Sequence, residues 1–183
     1  MTARVTLSIC ARCALLVVLA ACGDDSGPPV FCTGEGCVCA TDDDCVCTAG
    51  PACNAHCDTA CGVRCVTGAK CNLDGLRAVV LICEDSSECK GNGGDESLIT
   101  CAGTTKCELK AGDRSVATCS GETDCKLDLG NDSRVTCSDG ASCDIKCGVG
   151  CSVLCRTSAN CSLDCQGVAS LTCPDGRQAC GEC

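Results

Sequence analysis

Apolar and polar residues alternate in this chain in short bursts that recur at a fixed interval. Cys47, Cys65, Cys83, Cys101, Cys119, Cys137, Cys155 and Cys173 follow one another at intervals of 18 residues. A second series stands six residues behind the first: Cys53, Cys71, Cys89, Cys107, Cys125, Cys143 and Cys161. Its eighth member slips by one, to Cys180. With the first cysteine as position 1, position 17 holds Val63, Leu81, Ile99, Ala117, Val135, Val153 and Leu171. Position 9 holds Ala55, Leu73, Gly91, Leu109, Leu127, Ile145 and Leu163. Positions 17 and 1 are two apart, as are 7 and 9. A spacing of two is strand spacing, because successive side chains point to opposite faces. Each unit is therefore predicted to hold two short strands, at positions 16–2 and 6–10. Self-similarity at a fixed period marks a solenoid whose coils stack on one another.

Two further patterns support the stacking. The longer turn of each unit often carries Gly then Asp or Asn: Gly94-Asp95, Gly112-Asp113, Gly130-Asn131. These types accept left-handed backbone at tight corners. Position 8 reads Lys90, Glu108, Lys126, Asp144 in successive units, and position 10 reads Lys110, Asp128, Lys146, Asp164. Signs alternate down each column and also within each unit, which makes a checkerboard once coils lie in register about 4.8 Å apart. A left-handed helix of hexapeptides also takes 18 residues per coil, but it wants an apolar residue at every sixth place. Its third slot, position 13, holds Asp95, Asp113 and Asn131. The expected fold is all-β: a flattened right-handed parallel β-solenoid of about seven coils over 47–172, a rod about 35 Å long.

The interior of such a rod is thin, and composition says how it is held. The chain of 183 residues has 29 Cys, no Trp, no Tyr and one Phe. Small residues and covalent cross-links must replace aromatic bulk. Cysteine this dense in a short chain points to a disulfide scaffold in an oxidising compartment. Positions 1 and 7 face each other across the short turn, so a bond between them would staple each coil. At the other end, positions 11 and 15 are both cysteine in two coils, as Cys57 with Cys61 and Cys147 with Cys151. Setting aside Cys10, Cys13 and Cys22 leaves 26 cysteines, an even number. A full pairing uses the position-1/position-7 pairs, including Cys173–Cys180, together with the two far-end pairs and Cys165–Cys183. Two more pairs fall among Cys32, Cys37, Cys39 and Cys45, though connectivity cannot be read from sequence. The segment 32–46 breaks the period and reads as a cross-linked N-terminal cap, and 173–183 as a C-terminal cap; both ends of a solenoid need covering.

The first 21 residues read as an address. Arg4 and Arg12 precede the apolar run Ala14 to Ala21, which is too short to span a bilayer and fits the core of a signal peptide. It ends in Leu19-Ala20-Ala21-Cys22. That segment resembles the lipobox of bacterial lipoproteins. The resemblance implies cleavage before Cys22, acylation of Cys22 and anchoring to a membrane of the cell envelope. Several acyl chains hold where one would not. Residues 22–31, polar and rich in Gly and Pro, then read as a tether. More broadly, the chain resembles cysteine-rich β-solenoid lipoproteins.

Charge and motifs narrow the chemistry. A net charge of −10 excludes a nucleic-acid partner, whose phosphates it would repel. His56 is the sole histidine, and the sequence holds no nucleophile-elbow, Walker or zinc-protease motif, so no enzyme and no cofactor are expected. The alternative to disulfides is a metal-thiolate or redox-buffering protein. Cys37-Val38-Cys39 and Cys45-Val46-Cys47 flank Asp42-Asp43-Asp44, and thiolates suit soft metals or zinc. The regular 18-residue spacing exceeds what a cluster needs, and no metal site is assigned. Asp95, Asp113 and Asn131 fall at one corner in the manner of calcium-binding β-rolls, but turn residues account for them without an ion.

The outward side of the first strand offers the more interesting surface. Thr100, Thr118, Thr136 and Thr172 fall in one column, with Ala102, Ser120 and Ser138 in the next. Val80, Ile82, Leu98 and Val116 add apolar area, which commonly means a partner. The Thr-Cys-Ser and Thr-Cys-Ala steps resemble the Thr-Cys-Thr face of insect ice-binding solenoids, though Ile82, Arg134 and Leu154 interrupt the array. The reading that results is a non-catalytic envelope lipoprotein, a rigid structural or adhesive scaffold. Its binding-face candidates are Val80, Ile82, Leu98, Thr100, Val116, Thr118 and Thr136. Protein, glycan or self-association is the kind of partner such a neutral face would take. Ice or surface binding is a further alternative.

Overall fold

In the computed structural model, residues 30–41, 44–50, 52–156 and 158–183 are described. The expected signal peptide, the expected acylation site Cys22 and all but the end of the expected tether lie outside them. The chain opens with β1 (Val30–Thr33) and β2 (Cys37–Thr41). Strands then alternate between two sheets: β3 (Asp44–Cys47), β4 (Cys53–Cys57), β5 (Cys61–Cys65), β6 (Lys70–Gly75), β7 (Val79–Cys83), β8 (Glu88–Asn92) and β9 (Leu98–Ala102). The alternation continues through β10 (Lys106–Ala111), β11 (Val116–Ser120), β12 (Asp124–Leu129), β13 (Arg134–Cys137), β14 (Ser142–Cys147), β15 (Ser152–Cys155) and β16 (Asn160–Asp164). A hairpin of β17 (Ser170–Thr172) and β18 (Gln178–Cys180) ends it.

Even-numbered strands from β4 to β16 form one parallel sheet, sheet A, and odd-numbered strands from β3 to β15 form the other, sheet B. Every coil-to-coil register is 18 residues, as in Leu109↔Leu127↔Ile145 and Cys101↔Cys119↔Cys137. The fold is therefore a β-solenoid of seven coils. Strand alternation places positions 1, 7, 9 and 17 inside, and Leu81, Leu127, Ile145 and Val153 are buried there. Two limits of the expected repeat move. The parallel stack already begins at Asp44, because Cys45 pairs with Val63 and fills an inward place. Val30 and Phe31, expected in the tether, belong to β1, which runs antiparallel to β4 and closes sheet A. At the far end the stack stops with β16. Ser170–Thr172 pairs antiparallel with β18 instead of stacking on β15. Leu171 is accordingly 41% exposed and not a core residue, and Thr172 does not extend the threonine column.

The disulfides staple each coil. Positions 1 and 7 are bonded in all seven coils, from Cys47–Cys53 through Cys65–Cys71, Cys83–Cys89, Cys101–Cys107, Cys119–Cys125 and Cys137–Cys143 to Cys155–Cys161. Cys57–Cys61 and Cys147–Cys151 close the opposite end of two coils. The N-terminal cap holds Cys32–Cys37 and Cys39–Cys45. One expectation is overturned: Cys165 bonds Cys180 and Cys173 bonds Cys183, not Cys173–Cys180 and Cys165–Cys183. The reason is the hairpin. The Cys180 N–H donates to Cys151 O at 2.9 Å, so Cys180 sits where position 15 of the seventh coil would stack. Cys165 occupies position 11, and the pair completes the far-end staple with a borrowed strand.

The longer corner uses its Gly-Asx pairs differently from expectation. The left-handed residue is the one after them: Glu96 (φ 61°), Arg114 (57°) and Asp132 (56°). Each Asx side chain instead reaches up one coil. The Asp113 N–H donates to Asp95 Oδ1 at 2.9 Å, Asn131 N–H to Asp113 Oδ1 at 2.7 Å, and Val149 N–H to Asn131 Oδ1 at 3.0 Å. The preceding glycine leaves room for that reach, since a Cβ on Gly130 would strike the Asp113 carboxylate. Beside this ladder runs another. Val79 N–H donates to Ser97 Oγ, Ser97 N–H to Ser115 Oγ and Ser115 N–H to Ser133 Oγ, at 3.2, 3.2 and 3.1 Å. Backbone donors that no strand satisfies at the corner are thus satisfied by side chains of a neighbouring coil, the preceding one in the Asx ladder and the following one in the serine ladder.

Candidate functional site

The outward faces of the two sheets differ in kind. Sheet A carries the charges. Lys106 lies beside Asp124, Glu108 beside Lys126, Lys110 beside Asp128, Lys126 beside Asp144 and Asp128 beside Lys146. Position 6 adds a third alternating column, Lys70, Glu88, Lys106 and Asp124. Lys90 Nζ stands 2.9 Å from Glu88 Oε1 and 3.8 Å from Glu108 Oε2. The hydrogen bond to Lys90 holds the Glu88 carboxyl below the usual glutamate range, and their mutual attraction adds to it. The same bond pushes the Lys90 ammonium up.

Sheet B is neutral across its middle. Val80, Leu98 and Val116 form one outward column in direct register and are 40%, 44% and 41% exposed. Ile82, Thr100, Thr118 and Thr136 form the next, all half-buried by their neighbours in the column. Ala102 and Ser120 pair beyond them. The structure thus brings all seven binding-face candidates onto four adjacent strands, β7, β9, β11 and β13. Arg64, paired with Glu84 at 2.9 Å, bounds the face at one end, and Arg134 at the other. At the usual strand spacing the patch measures roughly 300 Å². Its residues stand on parallel strands paired in direct register.

Three other clusters are placed by the fold. His56, on the outward side of β4, has both ring nitrogens taken: Nε2 is 2.9 Å from Asp58 Oδ1 and Nδ1 is 3.2 Å from Asp74 Oδ2. Phe31 packs on the ring with centroids 5.0 Å apart, fastening β1 to sheet A. Asp95, Asp113 and Asn131 each accept one backbone N–H at Oδ1, as described above. The acidic run between the two Cys-x-Cys pairs falls largely outside the described residues. Stacking of coils brings sulfurs of neighbouring disulfides together, so that one sulfur each from Cys101, Cys107 and Cys125 lies within 4.8 Å of the others. The chain matches no protein-family model, no curated protein and no solved structure.

Proposed function

We propose that this chain is an exported, lipid-anchored and non-catalytic scaffold, whose neutral face on sheet B is its contact surface. The observation that carries the reading is the division of labour between faces. One side of a covalently stapled rod is charged in alternation, and the other is an apolar and threonine-bearing strip with no charge on its central strands. The thirteen disulfides support export, since such bonds form and persist in oxidising compartments. The lipobox supports an anchor at Cys22. Roughly 300 Å² is well below the ~800 Å² that each partner buries in a stable soluble complex. Contact through this face therefore relies on the high effective concentration that a shared membrane supplies. The partner it suits best is a second anchored copy or another neutral surface.

The test is surface association of the mature protein on supported bilayers, read by fluorescence energy transfer between labelled copies. Leu98→Lys with Val116→Lys places two cations in the strip and should abolish the transfer without altering the fold. Transfer that survives the double substitution removes the face from the proposal. A second reading, metal-thiolate binding, draws on the closeness of sulfurs in neighbouring coils once they are reduced. Native mass spectrometry separates the two. The scaffold predicts a mature chain about 26 hydrogens light, with no bound metal and no alkylatable thiol; free thiols carrying zinc or copper would favour the metal protein.

A further inference from the structure

The two ends of the solenoid are finished unequally. At the N-terminal end both sheets close on antiparallel cap strands, β1 on sheet A and β2 on sheet B. At the C-terminal end only sheet B is extended, by β18 and then β17. Sheet A stops at β16, in the same coil as β15, and no strand among the described residues lies beyond it. Sheet B therefore overhangs sheet A by two strand spacings, about 10 Å. The Asn160 N–H donates inward to Ala141 O at 2.9 Å. In a parallel ladder alternate residues address opposite edges, so Cys161 and Leu163 turn their N–H and C=O groups to the open side. Their side chains are half-buried, whereas Cys143 and Ile145, one coil below, are 3% and 0% exposed. Edge strands are ordinarily blunted by proline, lysine, a bulge or a cover. Asn160-Cys161-Ser162-Leu163-Asp164 has no proline, lysine or bulge, and no strand among the described residues covers it.

We propose that the β16 edge is a binding site for an extended peptide segment of a partner protein, which adds as the next strand of sheet A. The register states the chemistry of that segment. Over Cys161 and Leu163 it must present small or apolar side chains, two residues apart. Asp164 lies beside Lys146 and ends a column of alternating sign, with no cation above it. A lysine or arginine directly after the apolar residue over Leu163 continues the column. The overhang admits one strand and opposes a whole second solenoid: a copy turned to pair its β16 with this one would drive the two hairpins into each other. The chain's own tether falls short. If the mature chain starts at Cys22, which rests on the lipobox reading, residues 22–29 span at most about 29 Å. Seven strand spacings separate β1 from β16, about 34 Å.

The chain's own β10 has the required pattern, so a peptide of residues 104–112 carrying Cys107→Val serves as the probe. Titrated into the disulfide-intact protein, it should shift the amide resonances of Cys161 and Leu163 and slow their hydrogen exchange at least tenfold at saturation. Leu163→Lys should abolish the effect. Asp164→Lys, at an exposed site that leaves folding intact, should weaken binding several-fold at low salt and restore it for a peptide carrying Lys110→Glu. The Leu98→Lys, Val116→Lys protein should bind as the parent does, which separates this site from the sheet B face. Unchanged Cys161 and Leu163 amides at millimolar peptide would overturn the proposal. So would protection of those amides without peptide, assigning the edge to another copy if it grows with protein concentration and to the chain's own N-terminal segment if it does not.

Discussion

Buried hydroxyls show how much of this structure is decided residue by residue. Position 5 was legible only as turn, because its residues are small and mostly polar, yet Ala69, Ser87, Thr105, Thr123 and Ala141 are all buried there. A polar side chain can sit inside when the backbone takes its hydrogen bond, as Ser87 Oγ does by donating to Cys65 O at 3.0 Å. Thr105 Oγ1 is buried and meets no partner among the described residues. Ser115 is the opposite case: its hydroxyl accepts from Ser97 N–H and donates to Gly112 O at 3.0 Å. The two positions should therefore respond in opposite ways. Ser115→Ala orphans a buried N–H and should cost about 1–2 kcal/mol. Thr105→Val removes an unmatched hydroxyl at nearly constant shape and should stabilise by about 1 kcal/mol. Thermal midpoints of the two disulfide-intact variants decide this; a fall for both would mean that Thr105 is hydrogen-bonded.

Between residue and coil lie the ladders that run along the rod. The strands were readable because positions 1, 7, 9 and 17 are apolar with period two, and the checkerboard because its signs alternate. The corner was harder. Gly-Asx pairs suggest a left-handed turn by composition alone, and only stacking reveals that Asp113 serves the N–H of Asn131 while Gly130 leaves space for it. Gly130→Ala should thus destabilise more than Asp113→Ala, because the first forces two coils apart and the second loses one exposed hydrogen bond worth about 1 kcal/mol. Asp113→Asn keeps the acceptor and should be nearly neutral, since Asn131 already performs the same task for Val149. On the opposite sheet the test is electrostatic. Glu88 has a lowered folded pKa, so its pairing with Lys90 contributes fully above the ordinary glutamate value and is lost as pH falls through the lower one. A carboxyl-detected NMR titration should place the Glu88 midpoint below that of free glutamate, and Lys90→Met should return it. An unchanged midpoint in that variant would remove the hydrogen bond as the cause.

For the molecule as a whole, the question is what a rod with so thin an interior owes to its cross-links. Each of the first six coils buries between one and four aliphatic side chains besides the two cysteine sulfurs of its staple; in the central coil these are Leu109, Ala111 and Ala117 with Cys101 and Cys107. That is little apolar area for 18 residues whose backbone must be ordered at about 1–2 kcal/mol each. Closing a six-residue loop contributes about 2 kcal/mol by restricting the unfolded chain, and the position-1/position-7 staple does this in every coil. Coils of a solenoid are stabilised by themselves and by their neighbours only, so no distant core compensates when staples are lost. The end pairing was not legible for a related reason: nothing in the period announces that β18 turns back to give Cys180 to Cys165. Full reduction under non-denaturing conditions should therefore erase the β-sheet circular dichroism, and reoxidation should restore it with Cys165–Cys180 and Cys173–Cys183 found by peptide mapping. Zinc added to the reduced chain is the discriminating arm. In a disulfide scaffold it leaves the signal lost, because thiolates gathered by a tetrahedral ion cannot reproduce a bond across every coil. Recovery of the sheet with zinc alone would mean that the 18-residue repeat is a metal array and that function lies in metal handling.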